Sequence, residues 1–186
     1  MASMSDEQAS TPELSSLSWY HGLLPREDIK QFLHETGDFL VRMSEPSSPG
    51  KRELVLSVMF DKEKDTIKHF VINRDVVGLF SIEKQKFKSV PELVKFFLDN
   101  KSSLSAAREV IIRNPIGRLP WELSHADVQS KGKLGEGAFG EVHRGTWRSP
   151  KGKSLPVAIK VAKLDALTKE QIKEIMREVK GNWLRG

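Results

Sequence analysis

An arginine at the end of a short apolar segment is the first residue of this sequence whose placement suggests chemistry. The segment is Phe39-Leu40-Val41-Arg42, and Gly37-Asp38 precedes it. Side chains of a strand alternate between its two faces, so Arg42 shares a face with Leu40 and is expected to lie deep in the fold. A buried charge without a partner is costly, so an anion is expected to bind Arg42. An edge strand with Arg42 in water fits these residues equally well.

A polar loop, Ser44-Glu45-Pro46-Ser47-Ser48-Pro49-Gly50, follows the arginine. Its serine hydroxyls and backbone N–H groups are donors of the kind that surround a bound phosphate. The net charge of +5 also favours an anionic partner, which leaves phosphopeptides, nucleotides, nucleic acids and acidic lipids. Because the lysines are spread along the chain and few aromatic residues lie between them, nucleic acid is the least favoured of these.

The composition is typical of a soluble globular chain with room for two small domains. It has 186 residues, of which 38% are hydrophobic and 30% charged. The absence of cysteine excludes disulfides, thiolate metal sites and a cysteine nucleophile, and fits a reducing compartment. The N-terminus has neither a signal-peptide pattern nor a myristoylation glycine, and no apolar run is long enough to span a membrane.

The patterns around Arg42 predict a small α+β domain. Residues 1–16 are rich in Ser, Thr and acidic residues and are predicted to be disordered. One helix is predicted to open at Pro25-Arg26-Glu27-Asp28, and a second at Ser89, whose side chain is expected to cap it. A helix on each side of one sheet of several antiparallel strands is therefore expected. The predicted strands are Gly37–Arg42, Leu54–Met59, Thr66–Ile72, Gly78–Ile82 and Val110–Ile112.

Four motifs of this region occur in the order found in a Src-homology-2 (SH2) domain. They are Trp19-Tyr20-His21-Gly22, Arg26 in the first helix, Phe39-Leu40-Val41-Arg42, and Lys68-His69-Phe70. The segment 17–113 therefore resembles an SH2 domain, and the resemblance implies that it binds a phosphotyrosine peptide.

The same resemblance implies a role for each residue of the site. Arg42 would bind the phosphate through two parallel hydrogen bonds, and His69 would flank the phosphotyrosine ring. At Val71 the sequence departs from relatives that carry a lysine under the ring, so binding of the ring is expected to depend more on Arg26. The remaining residues of the implied phosphate site are Arg26, Ser44, Ser47 and Ser48.

A second pattern begins after a linker, residues 114–126. Lys133–Val142 contains Gly-x-Gly-x-x-Gly-x-Val, and the residues that follow alternate as in a strand. A dinucleotide fingerprint needs a helix at that point, so a hairpin with glycines at its tip, like the phosphate loop of protein kinases, is favoured. The next strand, Val157-Ala158-Ile159-Lys160, ends in a lysine at the spacing where kinases place the one that binds the α- and β-phosphates.

A helix is predicted after this strand, because Thr168 and Gln171 form a capping-box pattern ahead of an apolar stripe. Glu178 lies beside that stripe, where kinases place the glutamate that pairs with the strand lysine. A solvated glutamate is the alternative. The resemblance implies ATP with magnesium as the cofactor of the complete family. The implied nucleotide-contacting residues are Leu134, Gly135, Gly137, Gly140, Val142, Ala158, Lys160 and Glu178.

The whole order of SH2 domain, short linker and kinase glycine loop resembles the Fes/Fer family of cytoplasmic tyrosine kinases. Trp19–Arg26 and Trp121–Asp127 are the closest local matches, and they look most like the short nematode members, which lack the family's long N-terminal membrane-binding module. The resemblance implies tyrosine-phosphorylated protein partners and a cytoplasmic location. It also implies three segments: an SH2 domain over 17–113, a linker over 114–126 and part of a kinase domain over 127–186.

The sequence departs from the kinase pattern after Val179. His125-Ala126-Asp127 precedes the glycine loop and is not a catalytic loop, and Asp38-Phe39-Leu40 leads into Arg42 and is not a metal-binding Asp-Phe-Gly. We therefore assign no catalytic residue and no metal ligand, and we expect this chain alone to lack kinase activity and tight ATP binding. Two functions stay open: one piece of a Fes/Fer-like kinase, or a stand-alone phosphotyrosine adaptor or competitor with a vestigial kinase fragment.

Overall fold

A computed structural model describes residues 12–44, 52–119, 122–123, 125–137, 140–149, 152–162, 168, 170–175 and 177. The chain forms two compact units, of which the first ends at Arg118 and the second begins at Leu119. Both consist mainly of strands with a few short helices, which confirms the predicted α+β class.

The described part of the first unit contains one seven-stranded sheet in the order β1-β2-β3-β4-β5-β6, with β7 paired to β2. Strands β2 to β6 are antiparallel neighbours, whereas β1 and β7 both run parallel to β2. The sheet is therefore mixed rather than purely antiparallel, because both ends of the unit return to the same edge of β2. The strands are β1 Tyr20–Leu23, β2 Asp38–Ser44, β3 Glu53–Asp61, β4 Thr66–Arg74, β5 Phe80–Ile82, β6 Gln85–Phe87 and β7 Asn114–Pro115.

Both faces of this sheet are buried, because β2 and β3 are apolar at successive positions. On one face Phe39, Val41 and Leu56 join the main core with the apolar side of helix α2, Val90–Asn100 (α1 is the short helix described below). The other face carries Leu40 and Arg42, whose side chains are 0% and 2% exposed. The arginine therefore lies on the face away from the main core.

The two predicted helices differ in type. Ser89 caps α2 as predicted: its hydroxyl accepts a hydrogen bond from the backbone N–H of Glu92 at 3.2 Å. The first helix, Arg26–Gln31, is a 3-10 helix of six residues, in which the N–H of Asp28 bonds to the carbonyl of Pro25 at 3.2 Å. Such i to i+3 bonds suit a short segment that has to place buried side chains close to both of its ends.

Two predictions on the first unit differ from the structure. Helix α1, Pro12–Ser16, replaces the predicted disorder over residues 12–16, and it forms because Leu14 is buried in the main core; residues 1–11 lie outside the described part. Val110–Ile112 is not a strand. Val110 donates its N–H to the hydroxyl of Ser103 and accepts from the N–H of Leu104, so the loop uses its backbone groups. The apolar pattern there reflects burial in the core.

The second unit contains a three-stranded antiparallel sheet in the order β10-β9-β8 within its described part. Strands β8 and β9 form a hairpin whose tip lies between Gly137 and Gly140, as predicted. The N–H of Thr168 donates to Oε1 of Gln171 at 2.8 Å and the N–H of Gln171 to the hydroxyl of Thr168 at 3.3 Å, which confirms the capping box. The strands are β8 Val128–Gly137, β9 Gly140–Arg148 and β10 Ser154–Ala162.

Neither unit, in its described residues, contains a helix with the length and apolar character needed to cross a bilayer.

Candidate phosphate-binding site

Arg42 is a buried cation whose hydrogen-bonding capacity is only partly used by the described residues. Its Nε donates to the hydroxyl of Ser57 at 3.2 Å, and its Nη1 donates to the carbonyl of Leu24 at 3.0 Å. A guanidinium has five N–H donors, so three of them have no partner among the residues that the structure describes. Among the residues that the structure describes, no carboxylate forms an ion pair with Arg42.

The strand register places two rows of side chains on this face of the sheet. In one row Arg42 lies opposite Val55, which lies opposite Val71 on β4. The neighbouring row runs from Leu40 through Ser57 to His69. Residues that face each other across neighbouring strands point to the same side of a sheet, so the side chains of both rows lie on the same face as the guanidinium.

Ser57 connects the arginine to the histidine. Its hydroxyl oxygen lies 2.9 Å from Nδ1 of His69. Because Arg42 has no hydrogen-bond acceptor, the hydroxyl accepts from Nε of Arg42, and the same oxygen forms the contact with Nδ1 of His69.

The charges of the site act on one another. Burial, and then the charge of Arg26, lower the pKa of Arg42 to about 10, partly offset by Glu27. Burial, followed by the charges of Arg42 and Arg26, lowers the pKa of His69 to about 4. At neutral pH the site therefore contains charged Arg42 and neutral His69, and an anion bound there would relieve the repulsion between the two arginines.

The structure brings together four of the six predicted phosphotyrosine-site residues. Arg26, the first residue of the 3-10 helix, is exposed and close enough to influence the pKa of Arg42 and His69. Ser44 ends β2 on the same face as Arg42 and is half-buried. The other two predicted residues, Ser47 and Ser48, lie outside the described residues.

Ser57 is a site residue that sequence reasoning missed. Its side chain is 0% exposed, and it is the one hydroxyl in the apolar run from Leu54 to Met59. A polar side chain within such a run needs a buried hydrogen-bond partner, and that requirement was the available signal. The partner depends on the pairing of β2 with β3, which the sequence alone does not give.

In the second unit, four of the predicted nucleotide-contacting residues lie on one side of the hairpin. Lys160 lies opposite Val142, which lies opposite Gly135, and Ala158 shares their face two residues before Lys160. The side chain of Leu134 is 63% exposed. Glu178 lies outside the described residues, so its predicted pairing with Lys160 stays a prediction.

Glycine at the hairpin tip allows the backbone of β10 to approach the backbone of β9 closely. Gly140 pairs with Gly137 at the tip and has a φ of 147°. A Cβ at Gly140 would lie 2.0 Å from the carbonyl oxygen of Val161 on β10, so any side chain there would force the strands apart. In the described residues, no group of three or more His, Cys, Asp or Glu side chains is placed to hold a metal ion.

Comparison with known proteins agrees with both units. The family model of the SH2 domain matches residues 19–97, and that of the protein tyrosine and serine/threonine kinase domain matches residues 128–181. Fer-related kinase 1 of Caenorhabditis elegans is 33% identical over 180 residues, and the tyrosine-protein kinase Fer of Mus musculus is 37% identical over 161 residues. The chain belongs to the Fer-like family of tyrosine kinases. The transforming protein Fps of an avian sarcoma virus (strain PRCII), another tyrosine-protein kinase, is 33% identical over 147 residues.

These alignments cover most of this chain but only part of each relative. The alignment with Fer-related kinase 1 includes 96% of this chain and 45% of that protein. The alignment with Fer includes 86% of this chain and 18% of Fer, and the one with Fps includes 79% of this chain and 26% of Fps. The chain therefore spans less than half the length of these relatives, in the region that joins an SH2 domain to the start of a kinase domain.

Proposed function

We propose that the first unit binds phosphotyrosine in a peptide from another protein, with Arg42 as the main phosphate anchor. The observation that carries the proposal is the guanidinium of Arg42, which is 2% exposed and has three N–H donors not used by the described residues. A phosphate dianion is a chemically suitable partner, because guanidinium forms two parallel charge-assisted hydrogen bonds with phosphate oxygens.

The depth of the site favours phosphotyrosine over the shorter phosphoserine and phosphothreonine. A phosphate has to reach a side chain that is buried between β2 and the segment around Leu24. The aromatic ring of phosphotyrosine holds its phosphate farther from the peptide backbone, and the half-buried Val71 offers the ring an apolar contact. The one tyrosine of this chain, Tyr20, is 6% exposed, so we expect the ligand to come from another molecule.

The other proposed roles follow from charge and placement. Arg26 adds a second cation at the exposed side of the site, and the neutral imidazole of His69 is proposed to flank the phosphotyrosine ring. The hydroxyls of Ser44, Ser47 and Ser48 are proposed as further donors to the phosphate oxygens. A cytoplasmic location is proposed from the family resemblance, as are the segment boundaries at 17–113, 114–126 and 127–186.

The second unit is proposed to contribute to nucleotide binding in the complete family. The shared face of Lys160, Val142 and Ala158, beside a glycine-rich tip, suits the phosphates and the base of ATP. No residue of this chain is proposed as a magnesium ligand. A stand-alone phosphotyrosine adaptor or competitor stays the second candidate function, and it uses the same Arg42 site.

Calorimetric titration of the purified chain tests the proposal, with a phosphotyrosine peptide and its unphosphorylated twin as the two ligands. The phosphopeptide is expected to bind at least about a hundredfold more tightly, because its phosphate supplies both hydrogen bonds to Arg42. Equal affinity for the two peptides would refute the proposed function. Duplex DNA serves as a control ligand, and binding at physiological salt that exceeds binding of the phosphopeptide would favour a nucleic-acid partner.

A further inference from the structure

The two ends of the first unit lie together beside β1. The guanidinium of Arg118 donates from Nε to the carbonyl of Tyr20 at 2.9 Å, and from Nη2 to the carbonyl of Ser15 at 2.5 Å. In the opposite direction, Nε2 of His21 donates to the carbonyl of Ile116 at 2.9 Å. Neither Ser15 nor Arg118 lies within residues 19–97, the part that matches the SH2 family model. The contacts therefore tie β1 to segments on both sides of that match.

Strand β1 depends on these contacts, because its own pairing is short. It pairs with β2 only at Tyr20 and Leu23 among the described residues, and the register shifts between these two positions. Gly22 lies within the shift at a φ of 60°, where a glycine is favoured and a regular ladder cannot continue. The backbone bonds that flank the shift differ: the N–H of Val41 donates to the carbonyl of Trp19 at 2.9 Å, whereas the bond from the N–H of Leu24 to the carbonyl of Met43 is long at 3.4 Å. The end of β1 next to Leu24 is therefore held less firmly by β2, and contacts on the other side of β1 add support.

The end of β1 is part of the phosphate site. The carbonyl of Leu24, the first residue after β1, accepts the Nη1 hydrogen bond of Arg42 at 3.0 Å. Ser57 fixes the guanidinium at Nε, and Leu24 fixes it at Nη1. Hydrogen bonds at two of its nitrogens restrict how the planar guanidinium can turn, so the direction in which Arg42 presents its remaining donors depends on where Leu24 lies.

We propose that Arg118 is a positioning residue for the phosphate site: its contact with Tyr20 holds β1 in place, β1 places the carbonyl of Leu24, and Leu24 orients the guanidinium of Arg42. The effect on binding rests on the proposed phosphotyrosine function, whereas the effect on Arg42 itself does not. Arg118 acts through the backbone, and no contact between it and a ligand is needed.

NMR of the ligand-free chain tests the first half of the proposal. In the variant Arg118→Ala, the Nη hydrogens of Arg42 are expected to exchange with water about tenfold faster, while the exchange of its Nε hydrogen, bonded to Ser57, stays nearly unchanged. This measurement needs no ligand, so it stands even where no phosphopeptide binds. Unchanged Nη exchange in Arg118→Ala would overturn the proposal.

Titration with the N-acetyl amide of phosphotyrosine tests the second half, since this probe contacts only the phosphate site. Arg118→Ala is expected to bind it about five- to tenfold more weakly, and Arg118→Lys to lie in between, because an ammonium can bond to one carbonyl but lacks the planar fork. An Arg118→Ala variant with wild-type affinity for the probe would overturn this half. Failure of the wild-type chain to bind the probe would instead refute the proposed function.

Two matched variants separate positioning from charge and from stability. Arg108→Ala removes the same charge from an exposed position in the same unit, and it is expected to keep wild-type affinity for the probe. Leu104→Ala removes a core side chain that is 1% exposed and lowers stability, and Leu104 takes part in none of the hydrogen bonds given above for β1. In this variant too, the exchange rate of the Arg42 Nη hydrogens and the affinity for the probe are expected to stay within about twofold of wild type, when both are measured well below the unfolding temperature. A loss in Leu104→Ala equal to that in Arg118→Ala would show a structural effect only.

Discussion

Nε of Arg42 and the hydroxyl oxygen of Ser57 lie 3.2 Å apart, on neighbouring strands and fully removed from solvent. The same oxygen lies 2.9 Å from Nδ1 of His69, so a single buried hydroxyl links the cation to the imidazole. A site organised in this way is formed before a ligand arrives, and binding then requires little ordering of side chains.

Replacing this hydroxyl is the first test of the network. Ser57→Ala leaves the buried Nε–H of Arg42 without its acceptor, which costs about 1–3 kcal/mol of unfolding free energy. Binding of a phosphopeptide is expected to weaken about tenfold, since the guanidinium is then fixed only at Leu24. Urea unfolding and calorimetric titration measure the two effects. Ser81→Ala, on β5 of the same sheet, is the matched control and should change neither quantity; equal behaviour of the two variants would contradict the network.

The low pKa of His69 predicts a pH dependence of stability. The folded value is about 4 and the unfolded value about 6.5, so between these pH values the unfolded state binds more protons. The stabilisation is complete above pH 6.5 and is lost as the pH falls toward 4. Between pH 7 and pH 5 we therefore expect this residue to lower the unfolding free energy.

His69→Gln isolates that contribution from the other titrating groups. Glutamine does not titrate in this range, so the difference in unfolding free energy between wild type and variant should shrink on going from pH 7 to pH 5. Urea titrations at both pH values give the comparison. A difference that is the same at pH 5 and pH 7 would show that His69 titrates normally in the folded chain.

The apolar residue at position 71 predicts a stronger dependence on Arg26. Val71 lies in the same row as Arg42, at a half-buried position from which a lysine side chain would reach the phosphotyrosine. We expect Arg26→Ala to weaken phosphopeptide binding about tenfold in the wild-type chain but only about twofold in a Val71→Lys background. The four affinities form a double-mutant cycle, and additive effects would mean that the two positions do not share the ligand.

The sequence was sufficient to predict what depends on local pattern. The alternation of β2 placed Arg42 beside Leu40, and the caps at Ser89 and Thr168 were read from side-chain chemistry over three or four residues. Burial of Arg42 resolves the two interpretations left open at the start, because an exposed edge arginine would not be 2% exposed.

What was missed depends on contacts between distant segments. Ser57 joins the site through strand register, and β7 forms because Asn114 returns to pair with Asp38 across 76 residues. The segment Val110–Ile112 is as apolar as a strand, yet its backbone bonds to a loop whose path the sequence does not reveal. Leu14 looked like part of a polar tail, since one apolar residue gives no periodicity.

Titration of three proteins with one phosphotyrosine peptide tests the role of Arg42 most directly: wild type, Arg42→Ala and Arg42→Lys. Loss of two hydrogen bonds to a charged group should weaken binding by about a hundredfold or more in Arg42→Ala. Arg42→Lys should be nearly as weak, because an ammonium cannot reproduce the fork of the guanidinium. Near-ultraviolet circular dichroism checks that each variant is folded. An Arg42→Ala affinity within about threefold of wild type would contradict the assignment of the phosphate to Arg42.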